Sequence, residues 1–193
     1  MDSETGELIQ ENEIDLDATA GAVATSKNGR NMYVVLRSER IFESFHVDRS
    51  SGGLTSINKV SVRDAGPYLK TDNNDRFLLA AYYRAGAVSV HAIRADGSIG
   101  EELQWIETEE HAHSIQPDRT NTFVYVPHTN PANAIYQFRF NEKIGELSAN
   151  DPYKIQPSTE EGPRHFVFHP TKELLYSVNE NGSSVSVHRF NPD

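Results

Sequence analysis

Residues 73–99 read NNDRFLLAAYYRAGAVSVHAIRADGSI. A polar turn, Asn73-Asn74-Asp75-Arg76, precedes an apolar run, Phe77-Leu78-Leu79-Ala80-Ala81. A strictly alternating stretch, Val88-Ser89-Val90-His91-Ala92-Ile93, follows, and the segment closes on Gly97-Ser98-Ile99. Alternation with a period of two marks a half-buried strand, and an unbroken apolar run marks a strand buried on both faces. The same order recurs along the chain. Gly6-Glu7-Leu8, Gly52-Gly53-Leu54 and Gly145-Glu146-Leu147 repeat the closing mark, so the marks end at positions 8, 54, 99 and 147. Ile41-Phe42-Glu43-Ser44-Phe45-His46-Val47, Ile135-Tyr136-Gln137-Phe138-Arg139-Phe140 and Val185-Ser186-Val187-His188-Arg189-Phe190 repeat the alternating strand. Met32–Leu36, Phe123–Val126 and Leu174–Val178 repeat the apolar run, each behind its own polar turn.

A further short strand precedes each turn, as in Phe166-Val167-Phe168, and an outer strand such as Thr55–Val60 follows each Gly-x-Leu mark. Four strands per unit of about 46 residues is the signature of a β-propeller blade. No stretch has helical periodicity. The expected fold is all-β: a propeller of about four blades of four antiparallel strands, in one partial domain. The repeats fall at about 9–54, 55–99, 100–147 and 148–193. Met1–Leu8 reads as the tail of a preceding blade, and Phe190-Asn191-Pro192-Asp193 stops where a further mark is due, so the chain reads as part of a larger ring. Such an open array is expected to expose the flat faces of its terminal blades, which favours self-association.

The chain has 193 residues, is 37% hydrophobic and 9% aromatic, and carries a net charge of −10. That charge repels nucleic acid and anionic membranes, and neither is expected as a partner. With no cysteine, disulfides and thiolate metal sites are excluded. No apolar run approaches the roughly 20 residues that cross a bilayer. The acidic start Met1-Asp2-Ser3-Glu4 has no signal-peptide pattern, so a soluble cytoplasmic protein is expected.

Chemistry concentrates in Gly162-Pro163-Arg164-His165-Phe166-Val167-Phe168-His169-Pro170 and the Val178-Asn179-Glu180 that follows. Arg164 and Glu180 fall at corresponding ends of neighbouring strands, where a guanidinium and a carboxylate can face one pocket. The bland reading is an inter-strand ion pair. His111-Ala112-His113-Ser114 adds imidazoles, of which His113 could equally be a structural tie between turns. Two histidines two apart on a strand share a face, but no third ligand accompanies them, and no metal or other cofactor is expected. His165, His169 and His128 also read as turn or surface residues, the acidic run Glu107–Glu110 as a solvated loop, and Tyr82-Tyr83 as blade packing.

These motifs, together with Phe123–Val126 before Pro127, Ser183-Ser184-Val185 and Ala81-Tyr82-Tyr83-Arg84-Ala85-Gly86, resemble those of the seven-bladed propeller lactonases. That family includes propeller-type 6-phosphogluconolactonases and fungal carboxymuconate lactonising enzymes. The resemblance implies a catalytic trio of His113, Arg164 and Glu180, with His111, His165 and Asn179 contacting substrate. It implies a metal-free hydrolase of an anionic sugar lactone, in the carbohydrate chemistry of the pentose phosphate pathway. The alternatives are a lactonising cycloisomerase of the carboxymuconate type, or a non-catalytic binding platform. The expected partner is a small anionic lactone or acid. Two departures stand out: a second family arginine, of a later blade, falls beyond Asp193, and Leu69 stands in Gly66-Pro67-Tyr68-Leu69 where bacterial members often carry histidine.

Overall fold

The computed structural model describes residues 5–66 and 68–190. The described residues form fifteen strands and no helix. Strands β1 (Ala20–Thr25), β2 (Asn31–Leu36), β3 (Ile41–Val47) and β4 (Leu54–Ser61) make the first sheet. The second holds β5 (Tyr68–Thr71), β6 (Phe77–Tyr82), β7 (Ala87–Ile93) and β8 (Ile99–Glu107). The third holds β9 (Gln116–Pro117), β10 (Phe123–His128), β11 (Ala134–Asn141) and β12 (Glu146–Ile155), and the fourth β13 (Pro163–Phe168), β14 (Leu174–Asn179) and β15 (Ser184–Arg189). All pairings between neighbours are antiparallel, in chain order. The sequence repeats are offset from the sheets. The marks at Gly52, Gly97 and Gly145 lie at the turn between third and fourth strands, so a new repeat opens on the outer strand of the sheet before it. Gly52, Gly97 and Gly145 sit there with φ of 71°, 85° and 74°, a left-handed conformation that favours glycine. Gly6 shares the conformation, but Leu8 is exposed and outside any strand.

The second strands explain the stacking. On β6, Leu78, Ala80 and Tyr82 face the first sheet, while Phe77, Leu79 and Ala81 face the third. On β10, Val124 and Val126 face the second sheet and Phe123 and Tyr125 the fourth. A strand covered on both sides has no polar face, which is why these runs are continuously apolar. The two outermost faces differ. Ile14, Leu16 and Ala18 lie over Val34, Leu36 and Phe45, so the first sheet's outer face is covered by the chain's own N-terminal segment rather than left bare as expected. On the fourth sheet, Val167, Val178, Val185 and Val187 remain exposed.

At one end of each sheet the polar turns tie neighbours together. Asp75 Oδ1 accepts from Lys27 N, Asn121 Oδ1 from Asn73 N, and the Arg119 guanidinium donates to the carbonyls of His169 and Pro170. Asp118 holds its own turn: Oδ1 accepts from Thr122 N and Phe123 N, and Oδ2 from Thr120 N and its hydroxyl. Removing that carboxylate strands the buried Phe123 amide, at about 1–3 kcal/mol, and frees the turn's exposed amides to water. Asp118→Ala is therefore expected to destabilise the protein by roughly 2–3 kcal/mol in urea unfolding, far more than a surface change of about 0.5 kcal/mol. A midpoint equal to the parent's would show that the turn does not depend on this side chain.

Candidate active site

The opposite ends of the sheets carry the expected trio. His111 O accepts from Thr129 N at 3.2 Å, and Gly162 O from Glu180 N at 2.9 Å, so each sheet sets the same frame at this end. Two residues after each acceptor come His113 and Arg164. Ala112 bridges to His128 just as Pro163 pairs with Asn179, and a register shift between Pro163 and His165 leaves Arg164 as the bulged residue. A bulge bends a strand and re-aims one side chain, here the guanidinium. Ser114 Oγ donates to Arg164 O at 3.3 Å and Gln116 Nε2 to Phe166 O at 3.1 Å, which straps the third sheet to the fourth beside the site.

Arg164 Nε lies 2.6 Å from Glu180 Oε2. Nε nevertheless has no aligned hydrogen-bond partner, so the contact is one of charge rather than a directed hydrogen bond. The two side chains are 44% and 49% exposed. Ion pairs that open contribute at most about 1 kcal/mol to stability. Stability alone is thus a weak reason for this pair at the mouth of a cavity.

His113 is held by aromatic neighbours. Tyr83 meets its ring edge-on at 5.6 Å and His165 at 4.8 Å. Its Nδ1 is buried without a hydrogen-bond partner. Burial, reinforced by the nearby Arg164 charge and by His165, lowers its pKa to about 4, so the imidazole is neutral at pH 7. A neutral ring offers one N–H donor and one acceptor. The site therefore does not store a protonated histidine at pH 7.

Arg37, Arg40, Tyr83, Arg84, His113 and Arg164 line one cavity of about 790 Å³, open to solvent. The size suits a small ligand. Two smaller hollows, of about 280 and 190 Å³, lie between the third and fourth sheets, and none of the trio lines them.

The supporting residues divide. His165 is half-buried, between His113 and Tyr68, inside the site rather than on a turn or bare surface. His111 stacks flat on Tyr83 at 4.2 Å with its Nδ1 bonded to Asn130 O, and has φ of 70°; it acts as a neighbour of the cavity, not part of its lining. Asn179 finds no support as a substrate contact. It is 2% exposed, and its amide donates to Glu161, Ser184 and Ser186. His169 is a turn residue as expected, its Nδ1 accepting from Thr171 N and Lys172 N. His128 is not: it is fully buried on β10, bonded to Thr108 Oγ1 and against the Tyr136 ring. Nor is all of 107–110 merely solvated, because Glu109 accepts from Tyr136 Oη and is ion-paired with Lys154. Leu69 is core, 3% exposed. Among the described residues no group of three or more His, Asp or Glu side chains is arranged to hold a metal ion.

Sequence reasoning missed Arg37, Arg40, Tyr83 and Arg84. The signal was present. Arg37 and Tyr83 directly follow the second strands of the first two sheets, as Glu180 follows that of the fourth. Aligning the turn after the second strand, rather than the closing mark, brings them to the same end.

A family model described as a seven-bladed β-propeller lactonase matches residues 1–193. A 6-phosphogluconolactonase of Pectobacterium atrosepticum is 33% identical over 96% of this chain and 55% of its own length. One of Klebsiella pneumoniae is 31% identical over 94% of this chain and 54% of its own. The chain thus spans about half the length of the curated relatives it matches. Among solved structures, the periplasmic gluconolactonase of Pseudomonas aeruginosa superposes with a TM-score of 0.80 at 23% identity, over 90% of this chain and 54% of that one. That likeness establishes the fold.

Proposed function

We propose, from the premise that this chain belongs to the seven-bladed β-propeller lactonase family, that its cavity opens an anionic sugar lactone by adding water. The observation that carries the reading is the convergence of His113, Arg164 and the Glu180 paired to it at one cavity mouth. Relatives at about 30% identity named 6-phosphogluconolactonase support the substrate class.

The chemistry follows from the groups present. Glu180 takes a proton from water as the oxygen attacks the lactone carbonyl carbon. The carbonyl oxygen becomes an oxyanion, and the planar, permanently charged fork of Arg164 balances it. Collapse breaks the bond between the acyl carbon and the ring oxygen. The leaving alkoxide receives a proton through the neutral His113, which donates its N–H and is reprotonated from Glu180 or solvent. The products are a free hydroxyl and a carboxylic acid, which gives its remaining proton to solvent and leaves as the carboxylate, with no change of oxidation state. Every step uses a side chain of this chain, so turnover is expected to be the same with and without a chelator.

The test is proton release in weakly buffered solution with 6-phosphogluconolactone, over the spontaneous rate and with EDTA present. A rate indistinguishable from the spontaneous one defeats the reading. Turnover of a muconate to a lactone, without lactone opening, would assign the site to cycloisomerisation instead. No helix of the described residues is long and apolar enough to cross a membrane. We place the protein in the cytoplasm, which cell fractionation checks against the periplasm.

A further inference from the structure

The first sheet repeats the frame of the trio with the charges exchanged. Arg37 N donates to Thr19 O at 2.8 Å, as Thr129 N does to His111 O and Glu180 N to Gly162 O. Arg37 therefore occupies in the first sheet the place that Glu180 occupies in the fourth. Two residues after Thr19 comes Gly21, at the place of His113 and Arg164. A Cβ on Gly21 would lie 2.7 Å from Cγ and Cδ of Arg37. The arginine stem thus lies across the glycine, in space that a side chain at 21 would take.

Two more guanidiniums accompany it. Arg40 ends the β2–β3 turn with φ of 53°. The matching positions before β7, β11 and β15 are Gly86, Asn133 and Ser183, also at positive φ. Glycine tolerates that conformation and a long side chain does so only under strain, so an arginine there trades backbone ease for a cation. Arg84 follows Tyr83 in the β6–β7 turn and lines the same cavity. Among the described residues, Arg37, Arg40 and Arg84 make no ion pair, whereas Arg164 is paired with Glu180. The lining's carboxylate is Asp64, whose Oδ1 accepts from the backbone of Ala65. A chain of net charge −10 therefore gathers three unneutralised cations on the first- and second-sheet side of the cavity. All three are exposed, so water screens their mutual repulsion and their forks stay free for an anion entering the cavity.

We propose that Arg37, with Arg40 and Arg84, forms an anion subsite that takes the phosphate monoester of the substrate, while His113, Arg164 and Glu180 act on its lactone ring. This rests on the lactonase reading above. It adds to that reading a division of labour: the third and fourth sheets do the chemistry and the first and second sheets select for a phosphorylated sugar. Forked guanidinium groups match phosphate oxygens in geometry as well as charge.

The experiment compares kcat/KM for 6-phosphogluconolactone with that for unphosphorylated gluconolactone. Loss of one charged contact to phosphate is expected to cost about 10- to 100-fold. Arg37→Ala is expected to lower the ratio of the two values by that factor, chiefly through KM for the phosphorylated substrate, and Arg37→Lys by less. Gly21→Ala keeps every charge but displaces Arg37, and is expected to shift the ratio the same way. Inorganic phosphate should inhibit competitively, and more weakly in Arg37→Ala. Thermal unfolding of each variant separates misfolding from lost selectivity. If both lactones turn over and the ratio stays at the parent value, the subsite is overturned and the lactonase reading stands. If neither lactone turns over, the lactonase reading fails. The subsite is then decided by calorimetric binding of 6-phosphogluconate and inorganic phosphate to the parent and to Arg37→Ala. Weaker binding to the variant sustains it, and equal or absent binding overturns it.

Discussion

Glu180→Gln is expected to lower kcat for lactone opening by about 100- to 10,000-fold, the range over which a positioned general base acts. The substitution keeps the size of the side chain and removes its negative charge and its basicity. It also frees Arg164, whose Nε lies 2.6 Å from the carboxylate. An unneutralised guanidinium binds anions better, so KM for an anionic lactone is expected to hold or fall while kcat collapses. Arg164→Ala is expected to behave differently, raising KM and lowering kcat together, because the clamp serves both the bound anion and the oxyanion. A readout independent of turnover separates the two variants. Arg164 lowers the His113 pKa and Glu180 raises it. In proton NMR, His113 should titrate above its parent value of about 4 in Arg164→Ala, and below it in Glu180→Gln. Turnover at the parent rate in Glu180→Gln would remove this carboxylate from the mechanism. His113 titrations unmoved by either change would show that the three side chains do not share a site in solution.

The second large effect is on stability in mild acid. His91 and His128 are 1% and 0% exposed, and burial lowers both pKa values to about 4. In the unfolded chain an imidazole takes a proton near pH 6.5, whereas in the folded protein these two do so only near 4. Below pH 6.5 the unfolded state therefore binds more protons, and stability falls as pH falls. Between pH 6.5 and 4 each histidine removes about 1.4 kcal/mol per pH unit, roughly 3 kcal/mol in all. Two such groups account for about 6 kcal/mol, against a typical domain stability of about 5–15 kcal/mol. Asp48, Asp96 and Glu109, all held below the usual carboxylate range, act in a lower window. Urea unfolding followed from pH 7 to pH 4.5 should show the loss, and His91→Leu should flatten it by about one proton's slope. Ser89 Oγ, which His91 Nε2 meets at 3.1 Å, keeps Tyr82 Oη at 2.8 Å in that variant. A slope equal to the parent's would mean that His91 is protonated in the folded state.

Much of this protein is legible before folding. The two-residue alternation of Val88–Ile93 and the unbroken run Phe77–Ala81 define which strands are half-buried and which are covered twice, because side chains on a strand alternate between faces. The glycine of each Gly-x-Leu mark is fixed by a backbone angle that other residues adopt only under strain. Those two facts give the repeat, and the repeat gives the stacked sheets. The strand pattern puts Arg164 and Glu180 at corresponding strand ends, and the resemblance to the propeller lactonases adds His113 to them.

What the sequence could not supply is which side chains meet across different sheets. His128 and His169 look alike as residues beside turns, yet one is core and the other solvent-facing, and burial depends on what the neighbouring sheet places opposite. Asn179 stands beside Glu180, but adjacent residues on a strand point to opposite faces, and its amide is spent inside. Arg37 and Arg84 lie about 80–130 positions before Arg164 and belong to no motif with it. Only stacking the sheets in register brings their charges to one cavity, because an electrostatic site is defined by distance in space and not by separation along the chain.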